Sequence, residues 1–386
     1  MRRRKVSPMS WRALPEQQPS GPLLDVDDLR TAFRTPRGRL RAVDGVSASL
    51  DRGKTLGIVG ESGSGKSVFV RSLMGHLPRY VERSGSVRFE GAELSDLNER
   101  GLRHYWGTEM AMVFQDPMTS LNPVKRIEPQ ITDSLRHNLG IGRADARERA
   151  LALLESVGIP EPRRRLRDYP HQLSGGMRQR VTIAMALACG PKLLLADEPT
   201  TALDVTVQAQ ILNLLGQQQR ERFMGMILVT HDLAVVAGRT DEVAVMYAGQ
   251  IVEKAPTAVL FGNVRMPYTE GLLRSIPKIS EPSHTRLRII GGRPPDLVDP
   301  PAGCRFSPRC PYAQPLCHTD PPPLTPAETP GHVFRCWFPV GTDAGREALE
   351  RNLARHDPAA EAAVAGDIHA AALVDAAADA DAGGND

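Results

Sequence analysis

The chain has 386 residues, enough for one large domain, a smaller one and a tail. Its 48 Lys and Arg against 45 Asp and Glu leave a formal charge of +3, too balanced to argue for nucleic acid or a membrane surface as partner. No apolar run approaches the roughly 20 residues of a membrane helix, and five cysteines without a signal-like apolar core at the N-terminus point to reduced thiols in a cytoplasm.

Met1-Arg2-Arg3-Arg4-Lys5 opens a basic, disordered arm over residues 1–21, broken by prolines and polar residues. Short strands follow from residue 22, and Phe33 among them is either stacked on an adenine face or a plain core aromatic. Val46, Ala48 and Leu50 alternate with Ser47 and Ser49, the period of a half-buried strand, and Asp51-Arg52-Gly53 turns the chain. Leu56-Gly57-Ile58-Val59 reads as a buried strand and residues 68–77 as a helix. Between them stands Gly60-Glu61-Ser62-Gly63-Ser64-Gly65-Lys66-Ser67, a match to G-x-x-x-x-G-K-[ST]. Its glycines let the backbone turn tightly, so that amide dipoles and a helix N-terminus face a polyphosphate. Lys66 then reaches the β- and γ-phosphates of a nucleotide, and Ser67 offers its hydroxyl to Mg2+.

Val87 and Phe89 suggest a strand, and Met110-Ala111-Met112-Val113-Phe114 a buried one that ends at Gln115, placed to touch water or Mg2+ beside the nucleotide. The spacing of Leu151, Leu154 and Val157 predicts a helix over 144–157, stopped by Gly158. Leu173-Ser174-Gly175-Gly176-Met177 starts an apolar helix that runs through Ala188 to a Gly190-Pro191 break. A serine and two glycines at a helix start make either a plain cap or a second anion-binding nest. One phosphate loop has no need of that nest unless two chains meet with nucleotide between them.

Leu193-Leu194-Leu195-Ala196-Asp197-Glu198 is an apolar strand ending in two carboxylates, Asp197 suited to Mg2+ and Glu198 to polarising a water for in-line attack on the γ-phosphate. Ala202-Leu203-Asp204 leads into a helix over 205–222 with Asp204 as N-cap. A strand over 226–230 ends at His231, placed to bind the γ-phosphate or orient the attacking water, and two more strands flank Gly249.

Cys304, Cys310, Cys317 and Cys336 fall in one proline-rich segment, spaced C-x5-C-x6-C-x18-C, whereas Cys189 lies in the apolar helix as core. Four thiolates hold a [4Fe-4S] cluster or zinc, or stay free. The cluster is favoured, because paired C-x-x-C knuckles common in zinc sites are missing. His318 and His332 stand near enough in sequence to substitute as ligands, and a metal would help a segment poor in aliphatic residues to fold. Beyond about residue 357 the chain is Ala- and Asp-rich and reads as disordered.

Taken in order, residues 60–67, Gln115, 173–177, 195–198, Ala202-Leu203-Asp204 and His231 resemble the full motif set of ABC-type ATPases. The resemblance spans residues 23–262 and implies an α/β fold with a RecA-like core, an antiparallel β subdomain and a helical subdomain. It implies head-to-tail pairing, in which Ser174, Gly175, Gly176 and Met177 of one chain meet the nucleotide on the other's loop, with Asp204 in the loop named for its aspartate. Glu198, His231 and Gln115 then serve hydrolysis of ATP with Mg2+ at the chain's own loop.

Met266-Pro267-Tyr268-Thr269-Glu270-Gly271-Leu272-Leu273 with Ile276-Pro277 resembles the region following the ATPase domain in dipeptide, oligopeptide and nickel importers, although many of those have His where Met266 stands. Cys304-Arg305-Phe306-Ser307-Pro308-Arg309-Cys310-Pro311 and Gly331-His332-Val333-Phe334-Arg335-Cys336-Trp337 resemble the segment that ligates an iron-sulfur cluster in part of that family. The expectation is an ATPase subunit of a peptide importer, peripheral on the cytoplasmic face of the membrane, with nickel or another small solute as the alternative cargo. Its implied partners are a second, paralogous ATPase subunit, two permeases and an external solute-binding protein, with no nucleic acid. Readings of another class are a metal-cluster-dependent regulator or a non-transport ABC ATPase. The latter usually carry a second ATPase domain or a long coiled-coil insertion, and neither occurs between Gly60 and His231. The domain reading is a 1–21 arm, a 22–262 ATPase domain, a 263–340 C-terminal region and a largely disordered 341–386 tail.

Overall fold

The computed structural model describes residues 21–78, 80–201, 203–276 and 290–354; the arm before Gly21, Ala202, Pro277 and the 357–386 stretch lie outside them. The strands in chain order are β1 (Leu24–Thr35), β2 (Gly38–Leu50), β3 (Thr55–Val59), β4 (Val81–Phe89), β5 (Ala92–Glu93), β6 (Met110–Val113), β7 (Leu193–Asp197), β8 (Gly225–Thr230), β9 (Glu242–Tyr247), β10 (Gln250–Pro256), β11 (Thr325–Pro326) and β12 (Val333–Phe334). The helices that matter to the site are α1 (Lys66–Leu73), α2 (Ile127–Leu139), α3 (Arg143–Ser156), α4 (Gly175–Leu187), α5 (Val205–Arg222), α6 (Pro267–Arg274) and α7 (Asp343–Ala354).

Four strands form an antiparallel sheet in the order β2-β1-β4-β5, and eight form a second in the order β11-β12-β10-β9-β3-β8-β7-β6. From β9 to β6 every pairing is parallel. Parallel strands need crossovers that cover both faces, and β3, β7 and β8 are accordingly buried along their whole length. β2 instead alternates, with Val46, Ala48 and Leu50 buried and Ser47 and Ser49 exposed, as the period-two spacing predicts. Between β6 and β7 the chain leaves the sheet for α2, α3 and α4, which close on Ile131, Leu135, Ala150, Leu154, Val181 and Leu187. These three parts are the expected sheet core, antiparallel subdomain and helical subdomain. No helix among the described residues is long and apolar enough to cross a membrane.

After β10 the chain stays on the same body. β12 pairs with β10 through Glu253 and Phe334, and the rings of Tyr268 of α6 (tilted) and Phe306 (edge-on) pack against Tyr247 of β9 with centroids 4.5 and 5.2 Å away. One expectation needs correction here. Residues 343–354, counted from the sequence as part of a disordered tail, form α7. Small and polar groups dock it: Ala348 is fully buried, and the Asn352 amide donates to the carbonyls of Pro311 (2.8 Å) and Ala313 (2.9 Å). A search for large apolar residues misses such a helix.

Candidate active site

β3 is hydrophobic throughout because it is covered on both faces, and it delivers the chain into residues 60–65 and then α1. Gly63 and Gly65 take φ +78° and +102°, in the region that favours glycine. A Cβ on Gly65 would stand 2.2 Å from the Ala42 carbonyl oxygen, and one on Gly60 2.1 Å from that of Met246, so β2 and β9 press on the loop from two sides. Lys66 is 4% exposed and donates to the carbonyls of Gly60 (2.7 Å) and Glu61 (3.0 Å). Burial pulls its ammonium pKa down, while the charges of Glu198, Asp197 and Glu61 act the other way. The Ser64 hydroxyl is buried within the loop with no hydrogen-bond partner, one of the polar atoms an anion would satisfy.

Asp197 ends β7 with Glu198 next in the chain, while Gln115 and His231 follow β6 and β8; these are three neighbouring parallel strands. Their common position outside the carboxyl ends of the strands is where open α/β sheets bind ligands. The Ser67 hydroxyl donates to Asp197 Oδ1 (2.8 Å), while Asp197 Oδ2 is buried without a partner. Burial pushes the Asp197 carboxyl up from its ordinary range. A hydroxyl beside an orphaned carboxylate oxygen is a donor set that fits Mg2+. Glu198 takes φ +45°. Its Oε2 accepts from the Thr201 hydroxyl (2.9 Å) and the Gln115 amide (3.2 Å) and lies 3.4 Å from His231 Nδ1. Its Oε1 is 3.8 Å from the Lys66 ammonium. One carboxylate thus gathers three strand ends and the phosphate-loop lysine.

Other candidate residues lie elsewhere. Ser174 caps α4, its hydroxyl accepting from the Met177 amide (3.3 Å), and Gly175 and Gly176 face Leu203 and Val207. No hydrogen bond among the described residues joins 174–177 to residues 60–67. Asp204 caps α5 by accepting from the Val207 amide (2.9 Å). Phe33 is half-buried on β1 opposite Leu40, two residues before the Ala42 that presses on Gly65. Sequence reasoning did not single out Thr201, a threonine in a turn with no local signal. Nor did it give a role to Tyr268, whose hydroxyl accepts from the Glu61 amide at 2.8 Å.

Cys304, Cys310, Cys317 and Cys336 line one small cavity together with Met266, Tyr312 and Trp337. All are free thiols. Burial pushes Cys304 up to about 11 and raises the other three as well. Among the described residues no three His, Cys, Asp or Glu side chains are grouped so that they could hold a metal ion, the four cysteines included. His332, a substitute ligand by its place in the sequence, is instead buried against Glu253, 2.9 Å from Nε2 to Oε1.

A phosphate loop between a buried strand and a helix, an Asp-Glu pair at the next strand end but one, and a serine-capped glycine pair opening a helix together define an ATP-binding cassette ATPase. Residues 43–201 match the ABC transporter family, and residues 252–317 match the oligopeptide/dipeptide transporter C-terminal region. The chain is 47% identical over 332 residues to the oligopeptide transport ATP-binding protein OppD of Salmonella typhimurium, covering 86% of this chain and 98% of that one. It is 47% identical over 329 residues to the dipeptide transport ATP-binding protein DppD of Escherichia coli, covering 85% and 99%. Among solved structures, a dimeric post-hydrolysis state of the ATP-binding cassette MJ0796 bound to ADP and Pi aligns with a TM-score of 0.55 at 27% identity, over 61% of this chain and 98% of that one. The chain belongs to the ATP-binding proteins of the oligopeptide and dipeptide ABC transporter family.

Proposed function

We propose that this protein hydrolyses ATP to drive peptide import, as one of two ATPase subunits beneath a pair of permeases. The observation that carries the reading is Glu198, held by Gln115, Thr201 and His231 beside the Lys66 ammonium. The nucleotide's phosphates lie in the loop of residues 60–67, with Lys66 along the β- and γ-phosphates and Phe33 on the adenine. Ser67 and Asp197, with Gln115 at the edge, would hold Mg2+, which would supply positive charge against the nucleotide's phosphates. Glu198 takes a proton from a water whose oxygen bonds to the γ-phosphorus as the bond to the β,γ-bridging oxygen breaks, and His231 orients that water. Across the dimer, Ser174, Gly175, Gly176 and Met177 close on the phosphates held by the partner subunit, a paralogue, with Asp204 between the two sites.

The ATPase domain is residues 22–262, and 263–340 is the C-terminal region. A groove of about 1420 Å3, lined by Arg71, His76, Arg83, Trp106 and Phe114, opens one residue before Gln115. It takes a cytoplasmic loop of a permease, so that closure of the ATP site moves the loop. The protein then sits on the cytoplasmic membrane face, and an external solute-binding protein selects the peptide. Cys304, Cys310, Cys317 and Cys336 hold a [4Fe-4S] cluster, which supplies one-electron redox chemistry when bound. Support comes from the four thiols, which line one small cavity.

Glu198→Gln tests the mechanism. Turnover by the assembled transporter falls by about 10²- to 10⁴-fold, nucleotide affinity stays, and uptake is lost; unimpaired uptake would refute it.

A further inference from the structure

The phosphate-loop pattern leaves its second residue free, yet every polar group of Glu61 has a partner in this fold. Its amide donates to the Tyr268 hydroxyl (2.8 Å), and its carbonyl accepts from Lys66 Nζ (3.0 Å) and the Ser64 amide (3.2 Å). Its carboxylate points away from the loop, onto Arg309. Arg309 Nη1 donates to Oε2 at 2.6 Å and Nη2 to Oε1 at 2.9 Å, the parallel fork that fits a carboxylate.

Arg309 is itself over-determined. Its side chain is 3% exposed, and the remaining N–H groups go to the carbonyls of Gly291 (2.8 Å) and Ile290 (3.1 Å) and the Tyr247 hydroxyl (3.2 Å). All five donors are therefore used. The guanidinium also lies over the rings of Tyr247 and Phe306 at 5.8 and 5.9 Å. One residue before Cys310, Arg309 belongs to the cysteine-bearing segment, 248 residues from Glu61. A second arginine of that segment, Arg305 beside Cys304, bonds the Ala248 carbonyl and Asp44. The next residue, Gly249, donates from its amide to the Ser64 carbonyl (2.9 Å). The two arginines thus hold the loop from its Glu61 end and from its Ser64 side.

We propose that Arg309 is a positioning residue for ATP: its fork on Glu61 fixes the phosphate loop in its anion-binding shape, so the fold of the cysteine segment sets nucleotide affinity. A glue role alone, in which the pair only fastens the C-terminal region, makes a different prediction. Breaking it would lower Tm without touching affinity.

This role rests on the reading of residues 60–67 as the phosphate loop, and one set of full-length variants separates the two. Glu61→Gln, Arg309→Ala, their double and Lys66→Ala are measured for Mg-ATP dissociation constant and Tm, and in the assembled transporter for KM and kcat. Glu61→Gln leaves the C-terminal region's own contacts in place, so it stays informative if Arg309→Ala fails to fold. The expected result is a rise of about tenfold in dissociation constant and KM for each single variant, kcat at saturation within about twofold, and a double no worse than the worse single. Affinity within twofold of the parent in Glu61→Gln, with Lys66→Ala losing it, overturns the positioning role alone. Retained affinity in Lys66→Ala overturns the loop reading, and the positioning role with it.

Discussion

Glu198 sits at φ +45°, a conformation that costs a residue other than glycine on the order of 1–3 kcal/mol. Such strain persists when the surroundings over-determine it, and here Thr201, Gln115 and His231 all converge on one carboxylate oxygen. The loop glycines are constrained in the opposite sense, by lack of room. Gly60→Ala would set a Cβ 2.1 Å from the Met246 carbonyl oxygen, a backbone atom of β9 that cannot step aside. Nucleotide affinity is expected to fall by more than about tenfold, read by titration with a fluorescent ATP analogue; an alanine variant that binds as the parent does would contradict the packing argument. Gln115, Asp197, Glu198 and His231, which the fold brings to neighbouring strand ends, were legible in the sequence because strand-end spacing announces such positions. Thr201 and Arg309 were not, since the partner of one is set by a turn and that of the other by a fold joining residues 248 positions apart.

At the scale of elements, the β4-β5 hairpin is pinned by a single carboxylate. Burial pushes the Glu93 carboxyl up, but bonds from the Ser86 hydroxyl, the Ser95 and Val87 amides and the Ser95 hydroxyl outweigh it and hold the group down to about 2. A folded-state value below the ordinary 4.5 gives stability that is complete above pH 4.5 and is lost as pH falls toward 2. Glu93→Gln is expected to lower Tm at pH 7 by about 2–4 °C. The gap should shrink on acidification, and one that is unchanged at pH 3 would count against the bonds to the carboxylate. Long periodic segments such as β2 and α3 could be read in advance. β5, β11 and β12 could not, because strands of two residues carry no period and exist through pairing with a neighbour.

For the whole molecule, the C-terminal region packs on the same sheet that carries the phosphate loop. Phe306 and Tyr268 share one hydrophobic cluster with Val59, the last residue of β3. The proposed cluster is tested on anaerobically purified full-length protein. Iron and acid-labile sulfide in equal amounts, on the order of four each per chain, should vanish in a variant with Cys304, Cys310, Cys317 and Cys336 changed to Ser. Zinc, or no metal at all, would overturn it. Sequence patterns separate the ATPase domain from the C-terminal region but carry no sign that both share one sheet, because that union is made by short strands and buried polar pairs.

The order of that larger sheet bears on how copies of the chain behave when crowded. A sheet of eight strands must end somewhere, and an open edge is a template for another molecule's backbone. One margin here is β11, two exposed residues long and closed by Pro326, which has no N–H to offer a newcomer. The other is β6, only four residues long and mostly buried. Strand-by-strand growth of one copy onto another is thus disfavoured at both borders, so crowded copies are kept from templating one another's backbones.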